Sequence, residues 1–444
     1  MGDTILWEAA GTQIRIYYLI VLLTFIYFLY KYRKQGFSIL IILLFFNGLF
    51  AFFGKNLQNN YRIGLVILTI YWLFRTDPFN YTNYKTIFVS FILFSITFLY
   101  TSFTNDDYFF IIFSQYSRYF ILFSLFFILK KFNYNELFRK WVEKLVFDLV
   151  LIQIIFSLAK YIIIGPMESI VGSIASQGGA NATVFPILGF MFMWLKNRGR
   201  FKAKEWLFTF GLAFIGFVSL KRAIWFIMPV LIALVMFYIP KQKIPLKVAI
   251  LSLFFVPLVF YLGVRSNPTL NKEGTFGGSF DMNYVFDYAQ NYMFGSKDNK
   301  QTGQGRGGAT LMVYNKLVKG EVTEKDWLGY GLRFMYTTDY AEFDELELGI
   351  DSKGAATGFF QTFVTNGYVG IITTIFFVLS LLYKTKNNRL RYVLFGIFCW
   401  EYFFYTGIIL RELSLSFLLI YIVLFSDYEL KFIDRSARNS EMVL

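Results

Sequence analysis

The chain of 444 residues is 56% hydrophobic, 22% aromatic and only 16% charged, with a net charge of +14. A soluble protein of this size would carry about twice that charged share, so a soluble globular protein is excluded and an all-α, polytopic membrane protein is indicated. The absence of histidine excludes histidine ligation of haem or zinc, histidine proton relays, and Ser-His or Cys-His catalytic pairs. Cys399 is the single cysteine, which excludes an intramolecular disulfide.

Apolar runs predict about thirteen membrane-spanning helices (12–14). In chain order they lie near 14–30, 37–53, 62–74, 86–101, 108–129, 145–164, 182–195, 205–220, 223–239, 248–264, 358–383, 392–409 and 411–427. One long polar segment separates the tenth span from the eleventh. We therefore divide the chain into 1–264 with ten helices, a large loop over 265–357, and 358–444 with three helices and a tail.

Basic residues gather in alternate connections between the predicted spans. The clusters are Lys31/Arg33/Lys34, Lys130/Lys131/Arg139/Lys140/Lys144, Lys196/Arg198/Arg200/Lys202/Lys204, Lys241/Lys243/Lys247 and Lys384/Lys386/Arg389/Arg391. The positive-inside rule assigns these connections to the cytoplasm. The intervening connections GKNLQNNY, TSFTNDDY and GPMESIVGSIASQGGAN are poor in cations. We therefore expect the N-terminus outside and the tail inside, with most of the net charge reflecting topology rather than nucleic-acid binding.

The large loop over 265–357 is polar and glycine-rich, with 13 acids and 10 bases. It is much longer than a turn between two helices needs, and long loops of this kind are usually functional or disordered. The predicted topology places it outside, so we expect it to contribute to a site on the outer face.

Lys221 and Arg222 stand between the eighth and ninth spans, in VSLKRAIWFIMPV. The predicted topology places them on the outer face, against the charge bias. They either anchor helix ends at the lipid headgroups by snorkelling or bind an anionic ligand, and the sequence leaves both interpretations open.

Arg118 lies about ten residues inside a predicted span, where an isolated arginine costs roughly 2.5–3.5 kcal/mol even on the lenient insertion scale. Glu401 is equally deep and is the natural candidate partner. The two residues form either a structural ion pair or part of a polar cavity. Arg411 and Glu412, near the outer end of the last two spans, are expected to form a local pair.

The large loop carries two more arginines, Arg306 in QTGQGRGGAT and Arg333 in WLGYGLRF. An acidic stretch follows, in which Glu345 and Asp351 are candidates for a general base. Several outer-face arginines around a lipid-accessible cavity suit a diphosphate headgroup, because a guanidinium keeps its charge at any working pH. Such a site would need no metal and no other cofactor.

Four stretches together resemble the O-antigen polymerase and ligase superfamily of bacterial envelope glycosyltransferases, the Wzy type. They are SQGGANATVFPIL, VSLKRAIWFIMPV, GRGGATLMVYNKLVKG followed by WLGYGL, and FFQTFVTNGYVGIITTIFFVL. The resemblance covers roughly residues 165–385, with the order and topology of the family. Each motif is loose by itself, and the ordered set is more specific.

The resemblance implies a polymerase that transfers a growing glycan from undecaprenyl diphosphate to the next lipid-linked repeat unit. The reaction would be an inverting, metal-independent displacement at C1 on the outer face of the bacterial inner membrane, making O-antigen, capsular or extracellular polysaccharide. Undecaprenyl-diphosphate-linked glycans, membrane lipids and a chain-length regulator are the implied partners. On this basis we assign catalysis to Arg306, Arg222, Glu345 and Asp351, and substrate binding to Lys221, Arg118, Arg333, Arg411 and Asn181.

One departure from the family pattern bears on the choice between its members. Ligases typically carry a His-Asn pair before the closing helix, and counting back from Gly367 puts Ala356 and Thr357 at those positions. A polymerase is therefore favoured over a ligase. A cell-wall synthase of the shape-elongation-division-sporulation type, a lipid-linked oligosaccharide flippase or other transporter, and a structural membrane subunit remain alternatives. Against a transporter stand the single large loop and the absence of paired interrupted helices in two matching halves of the sequence.

Overall fold

The computed structural model describes residues 10–75, 84–132, 135–165, 170–175, 179–199, 201–219, 221–240, 257–275, 277–294, 306–336 and 356–426. These residues form helices and turns, and no strand occurs among them. The all-α prediction is confirmed for this part of the chain. The stretch 248–256 of the tenth predicted span lies outside the described residues.

Apolar runs rich in Phe, Leu and Ile become helices that overlap the predicted spans, although several bounds differ: the helix predicted from 145 begins at Glu136. In chain order the helices are α1 (Thr12–Lys31), α2 (Phe37–Phe45), α3 (Asn47–Phe53), α4 (Lys55–Phe74), α5 (Lys85–Thr104), α6 (Phe109–Phe132), α7 (Glu136–Ile164), α8 (Gly179–Lys196), α9 (Ala203–Val218), α10 (Arg222–Ala233), α11 (257–266), α12 (Met282–Phe294), α13 (Arg306–Lys319), α14 (Glu324–Leu328), α15 (Arg333–Tyr336), α16 (Gly358–Leu382), α17 (Asn388–Phe404) and α18 (Leu413–Ser426). A π-helical turn, Leu234–Tyr238, continues α10.

Five of the described helices, α1, α5, α6, α7 and α16, are long and apolar enough to cross a membrane. The apolar helices α8, α10 with its π-helical turn, and α18 are shorter. At 1.5 Å per residue, a helix of about 14 residues reaches only about 21 Å, less than the roughly 30 Å of bilayer hydrocarbon. The length and composition of the five longer helices support a membrane protein.

Two predicted spans are interrupted. The span predicted over 37–53 divides at Phe46 (φ −113°, ψ 21°) into α2 and α3. Within α16, Gly367 adopts φ 65° and ψ −165° and breaks the helix into two halves. Each interruption frees backbone groups that need partners from elsewhere in the chain.

The helices run between two ends of the bundle. We call the end where the large loop meets α5, α6 and α16 the loop end; there Asn105 donates to Gly329 O (3.3 Å). At the opposite end Lys130 and Lys384 both lie over the ring of Tyr84 (5.6 and 4.9 Å to its centroid). Phe37, which follows the first basic cluster, contacts Phe132 and Phe138 beside the second, at ring-centroid distances of 5.6 and 5.8 Å.

The segment 170–175, between α7 and α8, is buried. Ser173 accepts a bond from Gly48 N (2.9 Å) and donates to Phe45 O (3.1 Å), so it supplies partners for the break between α2 and α3. Gln153 of α7 accepts from Ser173 N (2.7 Å), about eleven residues inside its helix. Non-helical backbone inside a helical bundle is tolerated where protein buries it.

Candidate functional site

A cavity lies at the loop end between α5, α6, α15, α16 and α17. Its lining residues are Phe94, Phe98, Gln115, Tyr119, Leu332, Tyr336, Gly358, Gln361, Thr362, Thr365, Asn366, Thr374, Tyr402, Gly407, Leu410 and Arg411. The inner part of the cavity has a volume of about 20 Å³, enough for one or two waters. Around it, about 440 Å³ is free of protein atoms, part of it open to solvent. Aromatic rings and uncharged polar groups dominate the wall, and among the described residues that line it Arg411 alone is charged.

The turn between α17 and α18 positions Arg411. Gly407 adopts a left-handed conformation (φ 66°, ψ 28°), and a Cβ on Gly358 would lie 2.6 Å from the Cα of Gly407. This close approach brings the turn against the start of α16. The Arg411 guanidinium donates to Gln361 Oε1 and to the carbonyl of Thr406, both neutral acceptors. Arg411 is therefore held on α16 and on its own turn rather than in the predicted local pair with Glu412.

Arg118, on α6, is partly buried close to the cavity wall, and its electrostatic neighbours are Tyr336, Glu412 and Arg411. Within the described part of the chain it makes no hydrogen bond and no ion pair closer than 4 Å. The predicted partner Glu401 is not among these neighbours. A guanidinium inside an apolar helix without a direct partner indicates a polar cavity or an anionic ligand.

Arg62 and Glu412 complete a charged cluster behind the cavity. Arg62 of α4 donates to Ser114 Oγ, and both Arg62 and Arg118 are electrostatic neighbours of Glu412. Glu412 is 7% exposed and accepts from Asn47 Nδ2 (3.2 Å), the first residue after the break at Phe46. The residue that follows the break therefore donates a hydrogen bond to a buried carboxylate.

Glu401, fully buried near the end of α17, serves the turn that follows. Its Oε1 accepts from Ile408 N, its backbone carbonyl accepts from Gly407 N (3.2 Å), and Arg411 is its charged neighbour. Its Oε2 has no hydrogen-bond partner among the described residues. The cluster thus combines the arginines 62, 118 and 411 with two carboxyl groups, those of Glu401 and Glu412.

The loop motif WLGYGL docks into the interruption of α16. A Cβ on Gly367 would lie 2.3 Å from Trp327 O, so the two backbones touch where only glycine fits. Val364 O, just before the break, accepts from Tyr330 N (2.7 Å) and Gly331 N (3.3 Å). The loop motif therefore supplies hydrogen-bond donors for the backbone at the break in α16.

Asp107, in the turn between α5 and α6, holds the next part of the loop. Its carboxylate accepts from Leu332 N (2.8 Å) and Arg333 N (2.9 Å). Burial raises the pKa of Asp107, against the opposing effect of these two bonds and of the Arg333 charge. Because Leu332 and Tyr336 line the cavity, Asp107 fixes the loop side of its wall.

Asp326 is buried and accepts hydrogen bonds from several residues of the described part of the loop. It accepts from Lys316 Nζ (2.9 Å), Tyr330 OH (2.7 Å) and Thr323 N (2.8 Å). Burial alone would raise the pKa of Asp326, but the bonds from Thr323, Lys316 and Tyr330 outweigh it and hold that pKa below its ordinary value. The loop from α13 to α15 therefore has its own polar core.

The structure brings only some of the predicted site residues together. Arg411 lines the cavity and is an electrostatic neighbour of Arg118 behind the wall, whereas the Arg333 guanidinium lies 4.9 Å from the Phe334 ring centroid. Asn181, at the start of α8, is buried and its Oδ1 has no partner among the described residues. Asn181 and Arg333 do not line the cavity.

The remaining predicted residues are placed only in part. Lys221 precedes α10 and its N–H donates to Gly216 O (3.0 Å), and Lys221 does not line the cavity. Arg222 and Arg306 are the first residues of α10 and α13, where the structure describes their backbone alone. Glu345 and Asp351 lie outside the described residues. Their roles stay predictions.

Sequence reasoning missed Arg62, Gln361 and Asp107. Arg62 follows the polar run KNLQNNY, and Asp107 lies in the polar connection TSFTNDDY. No sequence signal marked Arg62, because it is the first residue of the predicted span and only the structure shows that α4 begins at Lys55. Gln361 gave none, because its role depends on the fold of a distant turn.

No model of a known protein family matches the chain, and no curated protein matches it. The motif resemblance therefore rests on the sequence stretches themselves. Among the residues that the structure describes, no three His, Cys, Asp or Glu side chains are grouped to hold a metal ion. Metal independence remains a prediction.

Proposed function

We propose that the protein is a glycosyltransferase of the inner membrane that polymerises lipid-linked oligosaccharide repeat units. In this proposal the bundle spans the bilayer about thirteen times, and the loop end faces outward, where such substrates are used. The donor is a glycan on undecaprenyl diphosphate and the acceptor is the next lipid-linked unit. A chain-length regulator is the expected protein partner.

The observation that carries the proposal is Arg118, a guanidinium without a direct partner among the described residues, whose electrostatic neighbours Arg411 and Tyr336 line the cavity. Arginine binds phosphate oxygens through parallel N–H bonds and does not lose its charge. The neutral acceptors that now hold Arg411 can be exchanged for diphosphate oxygens. Three arginines against two carboxyl groups give the site the sign that a diphosphate requires.

The proposed reaction is a single displacement. An acceptor hydroxyl oxygen bonds to C1 of the donor sugar while the bond from C1 to the diphosphate oxygen breaks. The electron pair leaves with the lipid diphosphate, which the arginines stabilise, and the hydroxyl proton passes to a base. Glu345 and Asp351 are the proposed bases, with Arg306 and Arg222 assisting, and attack opposite the leaving group inverts C1.

Purified protein in lipid nanodiscs, given lipid-linked repeat units and no nucleotide sugar, tests this function. We expect a ladder of longer glycans that survives EDTA. A strict need for a divalent metal would refute the arginine mechanism, and absence of lengthening with intact substrate would refute the polymerase.

A second candidate, a lipid-linked oligosaccharide transporter, is favoured by one observation. Two predicted spans are interrupted among the described residues, at Phe46 and at Gly367, and interrupted helices form substrate sites in many transporters. Substrate that crosses sealed vesicles containing the protein without being joined would select this function.

A further inference from the structure

The inner wall of the cavity contains uncharged polar side chains that the proposed diphosphate site does not use. Asn366 and Thr374 on α16 are 2% and 1% exposed, and both line the cavity with Thr365 and with Gln115 of α6. Arg411 lines the same cavity nearer its loop end. The wall therefore combines one charged group with a separate group of amides and hydroxyls.

Two of these polar atoms are unpaired. Asn366 Oδ1 and Thr374 Oγ1 have no hydrogen-bond partner among the described residues. The neighbouring hydroxyl of Thr373 bonds to Val369 O (2.9 Å), and that of Thr365 bonds to Gln361 O (2.9 Å). Threonines on α16 thus commonly satisfy themselves on their own helix, and Thr374 does not.

Buried unpaired polar atoms are costly, and in native proteins they usually mark a water or ligand that completes them. The inner space suits one or two waters or a single hydroxyl group. The surrounding free space of about 440 Å³ includes open solvent, so the cavity communicates with the outside. A ligand can therefore place one hydroxyl inside and its body in the outer part.

We propose that Asn366 and Thr374 form a subsite that binds one hydroxyl group of a neutral sugar, whose ring lies in the outer cavity against Tyr119 and Tyr336. An anion is disfavoured at this point because none of the inner groups is charged, and a cation is disfavoured by Arg411 in the same cavity. This proposal rests on the proposed function in one respect, that the sugar is the terminal sugar of the acceptor unit.

The test compares Thr374→Val with Thr373→Val in the purified full chain. Both substitutions remove a threonine hydroxyl at nearly constant volume, one that faces the cavity and one that is satisfied on the helix. The probe is the repeat-unit oligosaccharide released from its lipid carrier, and its Kd is measured in nanodiscs. We expect Thr374→Val to raise Kd about three- to tenfold, as loss of one neutral hydrogen bond predicts, while Thr373→Val and Thr374→Ser match wild type.

The Tm of the ligand-free protein gives a second readout. Since the Thr374 hydroxyl is unpaired, Thr374→Val is expected to keep or raise Tm while it weakens sugar binding, as function–stability trade-offs do. A lowered Tm with unchanged Kd would assign the hydroxyl a structural role through bound water and overturn the proposal. Failure of wild type to bind the oligosaccharide would overturn it too.

Binding requires no catalysis, so the two proposals fail separately. Thr374-dependent binding without glycan lengthening would preserve the subsite and refute the polymerase. Lengthening with a wild-type acceptor KM in Thr374→Val would preserve the polymerase and refute the subsite.

Discussion

Arg391 and Arg411 flank α17 at its two ends and are satisfied in similar ways. Arg391 donates to Thr385 O through Nε (3.0 Å) and Nη2 (2.6 Å), and Arg411 donates to Thr406 O and Gln361 Oε1. The environments differ, because Arg411 lines a cavity and Arg391 lies in the first turn of α17, next to a basic connection. Comparing variants of Arg391 and Arg411 therefore distinguishes the effect of losing local hydrogen bonds from the effect of losing a ligand contact.

Arg411→Lys is expected to slow glycan lengthening roughly ten- to a hundredfold, since one charge-assisted contact contributes about 1.5–3 kcal/mol and a point charge cannot replace a planar fork. Arg391→Lys, the matched control, should keep the wild-type rate. Initial rates at equal protein level measure both. Equal rates for the two variants would remove Arg411 from the site.

Asp326→Asn is expected to destabilise the protein by about 1–3 kcal/mol at neutral pH. The bonds to Asp326 hold its pKa below its ordinary value, so the folded state keeps the charge more readily than the unfolded chain. That stabilisation is complete above the unfolded pKa, about 3.9, and is lost as the pH falls through the lower folded value.

Thermal unfolding of wild type and Asp326→Asn between pH 7 and pH 3 measures this effect. The Tm difference should shrink as the pH falls. Asp106→Asn is the control: Asp106 is exposed with φ 52°, a conformation that asparagine also accepts, so its Tm should follow wild type. A difference that grows at low pH would contradict the role of Asp326.

At the scale of elements, α16 depends on the contact between Gly367 and the loop. Gly367→Ala should lower Tm strongly, because φ 65° disfavours a side chain and the new Cβ would lie 2.3 Å from Trp327 O. Hydrogen exchange at Tyr330 and Gly331 should accelerate as the loop detaches.

Gly396→Ala in α17 is the matched control, since a Cβ there meets nothing within 4 Å. Helix propensity predicts an unchanged or higher Tm for it. If the two variants melted alike, the docking of the loop in the break would not contribute to stability.

The existence of most helices could be predicted, because a long run of Phe and Leu can bury its backbone only if each N–H and C=O is hydrogen-bonded within the run, as in a helix. The interruptions could not. Phe46 is neither glycine nor proline, and the partner of that break, Ser173, lies 128 residues away from Phe45. The site shows the same division: Arg118 stood out as a charge in an apolar run, whereas Asp107 acquires its role only from the loop that it binds.

For the whole molecule, the predicted topology places Lys300 outside and Asn135, Arg200 and Lys386 inside. Single cysteines at these positions in a Cys399→Ala background test it with a membrane-impermeant thiol reagent on intact cells. We expect labelling at position 300 alone, and labelling at the other three only after the membrane is opened. Labelling of 135, 200 or 386 in intact cells would reverse the proposed orientation of the loop end.

The segment 170–175 also constrains the order of biosynthesis. Ser173 bonds to Phe45 and Gly48, made long before it, and Ile170 O accepts from Ser219 Oγ (2.7 Å), made 49 residues after it. Until residue 173 has been synthesised, the break between α2 and α3 lacks these partners. The segment itself lacks its bond from Ser219 until α9 is complete. This buried segment therefore closes only after the first nine helices, α1 to α9, have been synthesised.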